Sequence, residues 1–427
     1  MMDVLYCCCA GLDVHKKTVQ ACVRRLSDDG QLRTETRLFG TMTRDILALG
    51  DWLAEWEVTH VAMESTGVFW KPIWNLLEGR FELVLCNARE VTQVPGRKTD
   101  VKDCQWLAQL MQYGLLKASF VPSRPMRELR DLTRQRVQLV NEHTATANRL
   151  QKVLQDANIK LSSVATDVLG VSGRDMIRAL IAGEQDPEQL ANLARRRLRN
   201  KLPELTAALE GGVDDHHRFL LQMYYEHLTH LEEMIARFEA RIDEMLQDPA
   251  LDAACVPEGA LPFPIAVQVL TTATGIDECT AQAVLAEIGT DMSRFPGPDN
   301  LCSWTGICPG NNESAGKRYS GKTTKGNRWL RRALTQAAWA ASHTKDTYLS
   351  ALFRRLAARR GKKRAIIAVA HSMLVAIYYM LTRAETYQEL GSDYLDRLHP
   401  ERLARSLTKR LETLGFAVTL EPLQLAA

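Results

Sequence analysis

At 427 residues the chain exceeds what one hydrophobic core usually organises, so two or three domains are expected. Hydrophobic residues make up 46% and charged residues 25%, the balance of an ordinary soluble protein. No stretch is read as approaching the roughly 20 apolar residues that cross a bilayer, and the N-terminal MMDVLYCCCAGLDVHKK lacks a secretory leader, so no membrane partner and a cytoplasmic location are expected.

The first part alternates strand and helix signals. Strands are expected over Leu5 to Val14, Thr18 to Leu26 and Leu32 to Phe39, joined by tight turns such as Ser27 to Gly30. A helix follows over Arg44 to Trp56, then a strand His60 to Glu64, a helix Phe69 to Leu77, a strand Glu82 to Cys86 and a helix Asp100 to Tyr113. Three antiparallel strands followed by strand-helix units is the layout of a ribonuclease-H-like fold. Of the ten cysteines, Cys7, Cys8 and Cys9 are consecutive and the rest form no CxxC pair. Strand neighbours point to opposite faces, so the run reads as small buried hydrophobes and no metal-thiolate site is expected.

From Pro125 to about Gln247 the pattern changes to long, highly charged helices with heptad-like apolar spacing, which could pair as an antiparallel arm or join two subunits. Between them lies an irregular helical stretch with the basic run ARRRLRNK. Pro257 to Pro264 reads as a linker. Beyond it, TTATGIDECTAQAVLAEIG reads either as a helix-hairpin-helix presenting amides to a phosphate or as a plain helical turn. A Gly-, Ser- and Lys-rich loop then runs from Pro309 to Gly326, followed by a helix Asn327 to Ser342 and further helices up to Arg383.

Charge is uneven: residues 311–370 hold 15 Lys and Arg against 2 Asp and Glu, a +13 segment in a chain of net +3. Clustered cations of this kind are the footprint of a phosphate-backbone partner. Lys317, Arg318, Lys322 and Lys325 lie in the loop, and Arg328, Arg331 and Arg332 follow at i, i+3 and i+4 on one helix face.

Two constellations carry possible chemistry. Asp13 ends the first strand, Glu64 ends the fourth, and Asp100 and Asp103 stand three apart at a helix start. Singly each has a structural explanation, as a turn cap, an ion pair or a complement to a helix dipole. Jointly, carboxylates at adjacent strand ends and on an opposing helix can converge on two Mg²⁺ ions that clamp a scissile phosphate. In the basic loop Ser314 sits among small residues beside Lys317 and Arg318, where it can attack phosphorus or simply bind phosphate. Ser320 is the other candidate serine.

GLDVHK, MESTG, KTDVKD and ESAGK…GN…LRRAL occur in the order seen in one family. The chain resembles the DEDD-type transposases of the insertion sequence 110 family, over roughly residues 8 to 115 and 265 to 385. The resemblance implies an α/β plus all-α architecture: a RuvC-like ribonuclease-H-fold domain at 1–120, a helical coiled-coil connector at 121–250, a helical transposase domain with the serine loop at 251–390 and a tail at 391–427. It implies that Asp13, Glu64, Asp100 and Asp103 bind Mg²⁺, with Mn²⁺ as an alternative, and that Ser314 attacks DNA to form a phosphoserine link. The implied partners are donor and target DNA, a structured guide (bridge) RNA and further copies of the chain, as dimer or tetramer, in a prokaryotic cytoplasm. A junction-resolving nuclease, in which the acids activate water and the serine loop only binds, is the competing reading; it predicts no covalent adduct.

Overall fold

The computed structural model describes residues 4–87 apart from Asp28 and Thr66, Val91, and residues 103–420 apart from Gly310, Asn311 and His399. Its contacts divide it into two units, Met1–Pro122 and Ser123–Ala427.

The first unit is built on a five-stranded sheet in the order β3-β2-β1-β4-β5, where β1 is Cys8–Val14, β2 Thr18–Leu26, β3 Leu32–Gly40, β4 His60–Glu64 and β5 Glu82–Cys86. The first three pair antiparallel and β1-β4-β5 pair in parallel, consistent with a ribonuclease-H-like domain. The pleat sends alternate residues of β1 to opposite faces. Ala10, Leu12 and Val14 join Val61, Met63 and Leu85 on one face, packed on helices α1 (Thr43–Glu55) and α2 (Trp70–Leu77) through Ile46, Leu49, Trp52, Ile73 and Leu77. Among the described residues the other face takes α3 (Asp103–Gln112) on small side chains: Cys9 and Ala62 meet Met111, while Cys22 meets Cys104 and Ala108. Burial pushes the Cys9 thiol up to about 12, so it packs as a neutral hydrophobe.

In the second unit two 33-residue helices, α4 (Arg124–Asp156) and α5 (Asp215–Gln247), run antiparallel. His143 meets Glu232 at 2.9 Å and Asp156 meets His217 at 3.4 Å, pairings whose numbers rise on one helix as they fall on the other. Shorter helices between them bury Leu150, Met176, Ile177, Leu205 and Leu221 in a common core. A second core forms among α6 (Phe263–Thr271), α7 (Glu278–Ile288), α8 (Pro298–Thr305), α9 (Arg328–His343), α10 (Tyr348–Arg360) and α11 (Lys362–Arg383).

One expectation is corrected here, and one open reading gains its local geometry. By length and composition α11 could cross a membrane. Its Ala365, Val369, Met373 and Ile377 instead bury against the neighbouring helices of this core, the i, i+4 stripe of a central core helix. In the α6–α7 segment, read as either a helix-hairpin-helix or a plain turn, a Cβ at Gly275 would lie 2.6 Å from the Ala337 carbonyl of α9, and the Asp277 side chain caps α7 by accepting from Thr280 N.

Candidate functional site

β1 and β4 pair in parallel with Leu12 opposite Met63, so Asp13 and Glu64, each one residue on, leave the sheet side by side at the same end. Alternation puts Asp13 on the face of Gly11 and Glu64 on the face of Ala62, the face that α3 covers. The seat of α3 depends on Gly11: a Cβ there would come within 2.3 Å of the Cys104 carbonyl and 2.4 Å of the Ala108 amide. From that crossing α3 runs antiparallel to β1, since Cys9 Sγ donates to the Ala108 carbonyl at 3.4 Å and Leu5 N donates to the Gln112 carbonyl at 2.9 Å. Asp103, the first residue of α3, therefore stands at the sheet end where Asp13 and Glu64 emerge. Asp100 lies outside the described residues. Among the described residues no three acidic, histidine or cysteine side chains stand close enough to hold one metal ion.

Sequence reasoning overlooked His15, whose Nε2 lies 3.2 Å from Asp13 Oδ2. The signal was present in Leu-Asp-Val-His, because residues two apart share a face of an extended chain.

The expected serine loop contains a hairpin. β6 (Asn312–Ser314) and β7 (Lys317–Ser320) pair antiparallel, with Ser314 opposite Lys317 and Glu313 opposite Arg318. Ala315 at φ 50° and Gly316 at φ 74° form the two-residue turn, both left-handed, the twist that matches flanking strands. Ser314 thus abuts the tip, across from a cation. Lys317, Lys322 and Lys325 are exposed. Ser320 Oγ accepts from Lys322 N at 3.1 Å.

The hairpin's base is clamped onto the core. Gly306 and Gly326 meet backbone to backbone: a Cβ on Gly326 would lie 2.4 Å from Gly306 N. Asn327 caps α9, accepting from Trp329 N at 3.0 Å and Leu330 N at 3.1 Å. Its Nδ2 donates to Glu287 Oε2 at 2.6 Å. Glu287, only 2% exposed, also takes Arg134 in two-pronged fashion at 2.7 and 2.8 Å. Arg130 stands 3.8 Å away and donates to the Ala286 carbonyl, closing the last turn of α7; burial pushes its guanidinium down to about 10. Sequence reading missed this buried group because its members lie far apart in the chain. The three arginines of α9 differ in surroundings: Arg331 donates to the Gly306 carbonyl at 3.1 Å, Arg332 to Asn141 Oδ1, and exposed Arg328 lies over the Trp329 ring at 4.8 Å. Each guanidinium keeps further donors for a phosphate.

Comparison with known proteins places both halves in one group. The model of DEDD transposases of IS110, described as a transposase, matches residues 10–159, and one described as the transposase IS116/IS110/IS902 family matches residues 267–354. Together they span more than half of the chain. The chain is 23% identical over 303 residues to the transposase for insertion sequence element IS1111A of Coxiella burnetii (strain RSA 493 / Nine Mile phase I), covering 69% of this chain and 70% of that relative.

Proposed function

Because the chain belongs to the IS110 family of transposases and is a DNA transposase, we propose that it cuts and rejoins DNA with two half-sites, the carboxylates of the first unit and a nucleophilic Ser314 in the second. The observation that carries this reading is the emergence of Asp13 and Glu64 together at the ends of paired parallel strands, with α3 bringing Asp103 to the same sheet end and face. All-oxygen donors of this kind suit a hard cation, so Asp13, Glu64 and Asp103, with Asp100, would hold Mg²⁺ or Mn²⁺. Such ions polarise a phosphate and stabilise the charge that develops as it is attacked.

The chain's own groups then have definite tasks. Ser314 Oγ forms a bond to phosphorus as a DNA phosphorus-oxygen bond breaks, which frees a strand-end hydroxyl. Lys317, opposite Ser314, and Arg318, opposite Glu313, supply positive charge for the phosphoryl group. Attack of a DNA hydroxyl on the phosphoserine reverses the bond changes and releases the serine, so phosphodiester energy is kept for rejoining. Lys322, Lys325, Arg328, Arg331 and Arg332 contact nucleic-acid phosphates. A structured guide RNA pairing with donor and target DNA, and assembly of several copies in a prokaryotic cytoplasm, complete the proposal.

End-labelled DNA run on denaturing gels tests it. With guide RNA, Mg²⁺ and both DNA partners the parent is expected to give a protease-sensitive adduct, and Ser314→Ala, Asp13→Ala and excess chelator none. An adduct from Ser314→Ala moves the role to Ser320; cutting without any adduct favours the junction-resolving reading.

A further inference from the structure

A groove of about 1620 Å³ opens in the second unit between the base of the serine hairpin and α9, α10 and α11. Its wall is cationic at one end. Arg359 and Arg360 end α10, Gly361 at φ 79° reverses the chain, and Lys362, Lys363 and Arg364 begin α11. Five cations within six residues repel one another. Three of them also sit at the positive end of the α11 dipole, where a carboxylate would be favoured. Among the described residues none of the five is in an ion pair, and no Asp or Glu lines the groove. Lys322 adds a further exposed cation from the hairpin side.

The floor is of another kind. Trp339 is 48% exposed, with Phe353 at 6.2 Å and His343 at 5.0 Å edge-on to it. Leu352, Leu356 and Ile367 continue the apolar surface. A duplex offers a cationic surface only its phosphates and leaves such a floor unused. An unpaired strand offers both: phosphates for the cations and flat bases for the aromatic ring. Resting on the transposase reading above, we propose that this groove holds a single-stranded nucleic-acid segment, with one base against Trp339 and its phosphates along the α10–α11 turn. The bound anions relieve the uncompensated charge there, and the strand passes the hairpin base at Ser320 and Lys322.

Fluorescence anisotropy on the full chain tests this with four probes: an oligothymidine, an oligouridine, an abasic strand of the same length and a duplex. Trp339→Ala is expected to weaken oligothymidine or oligouridine binding on the order of tenfold with an unchanged salt slope. Replacing Lys362, Lys363 and Arg364 together by Ala should flatten the slope of log affinity against log salt by about 2, at roughly 0.7 per phosphate contact. The abasic strand should bind parent and Trp339→Ala alike, which a misfolded variant would not reproduce, and Trp339→Phe should recover most of the lost affinity. Tighter binding of uridine identifies RNA as the occupant, and of thymidine, DNA. Equal parent affinity for abasic and base-bearing strands, or preference for duplex, overturns the proposal. Asp13→Ala should bind all four probes as the parent does while losing cutting; cutting retained in Asp13→Ala with intact strand binding counts against the transposase mechanism alone, and parent cutting without base-dependent strand binding counts against the groove alone.

Discussion

Glu287 is the residue whose loss should be felt furthest from its own position. It is 2% exposed and receives Arg134, Arg130 and the side chain of Asn327, the cap of α9. Removing one partner of a buried pair costs about 3–5 kcal/mol, because the surviving charge is left without compensation. Arg130 at 12% exposed has little recourse, whereas Arg134 at 29% can turn partly to water, so about 3 kcal/mol is expected for Glu287→Ala. Glu287→Gln keeps one oxygen, enough for Asn327 and one Arg134 prong, but loses the charge and turns an amide N–H toward the other prong, so a smaller loss of about 2 kcal/mol is expected. In urea unfolding, with a slope of about 1–3 kcal/mol per molar, Glu287→Ala should lower the midpoint by about 1 M or more. Because Asn327 ends the hairpin segment, protease cleavage between residues 309 and 326 should rise as well. A midpoint within error of the parent, or equal losses for Ala and Gln, would refute this account of the buried charge.

Two further substitutions probe other links. Gly11→Ala would force α3 off β1 and carry Asp103 with it; a loss of about 1–3 kcal/mol in urea unfolding, together with loss of strand cutting, is expected. Burial pushes the Glu232 carboxyl up, but hydrogen bonds and charge from Arg174 and His143 outweigh this and hold it below the usual carboxylate range. Its contribution to stability is therefore complete above about pH 4.3 and fades as pH falls through the lower folded value. Unfolding midpoints taken between pH 6 and pH 3, on a scale where roughly pH 4.3 marks the free carboxyl, should drop less steeply in Glu232→Gln than in the parent; parallel curves would remove Glu232 from the acid response.

The sheet was legible because period-two patterning is a local signal. Each expected strand has its counterpart, although the first begins at Cys8 and not Leu5. The acids at its ends could be picked out for the same reason, since Asp13 and Glu64 interrupt apolar runs at the point where strands stop. What seats α3 over them could not be read, because the requirement on Gly11 is a backbone approach across 93 residues to Cys104 and leaves no periodic trace. The cysteines are intelligible only with that helix in place: Cys9, Cys22 and Cys104 are small enough to let it close on the sheet.

The serine segment was harder for a different reason. Gly, Ser and Lys in succession match loop composition, and the hairpin depends on Ala315 and Gly316 both adopting left-handed backbone, which alanine rarely does. An Asn-Gly pair would have announced the turn, whereas Ala-Gly does not. The left-handed alanine lies directly between Ser314 and Gly316 at the tip. A left-handed non-glycine residue persists only where its surroundings hold it, and here the Gly306–Gly326 contact and the Asn327–Glu287 bond anchor the base of the segment from which the tip projects. The hairpin thus rests on a rigid base and not on its own short strands, and the residues that anchor that base lie outside the ESAGK motif.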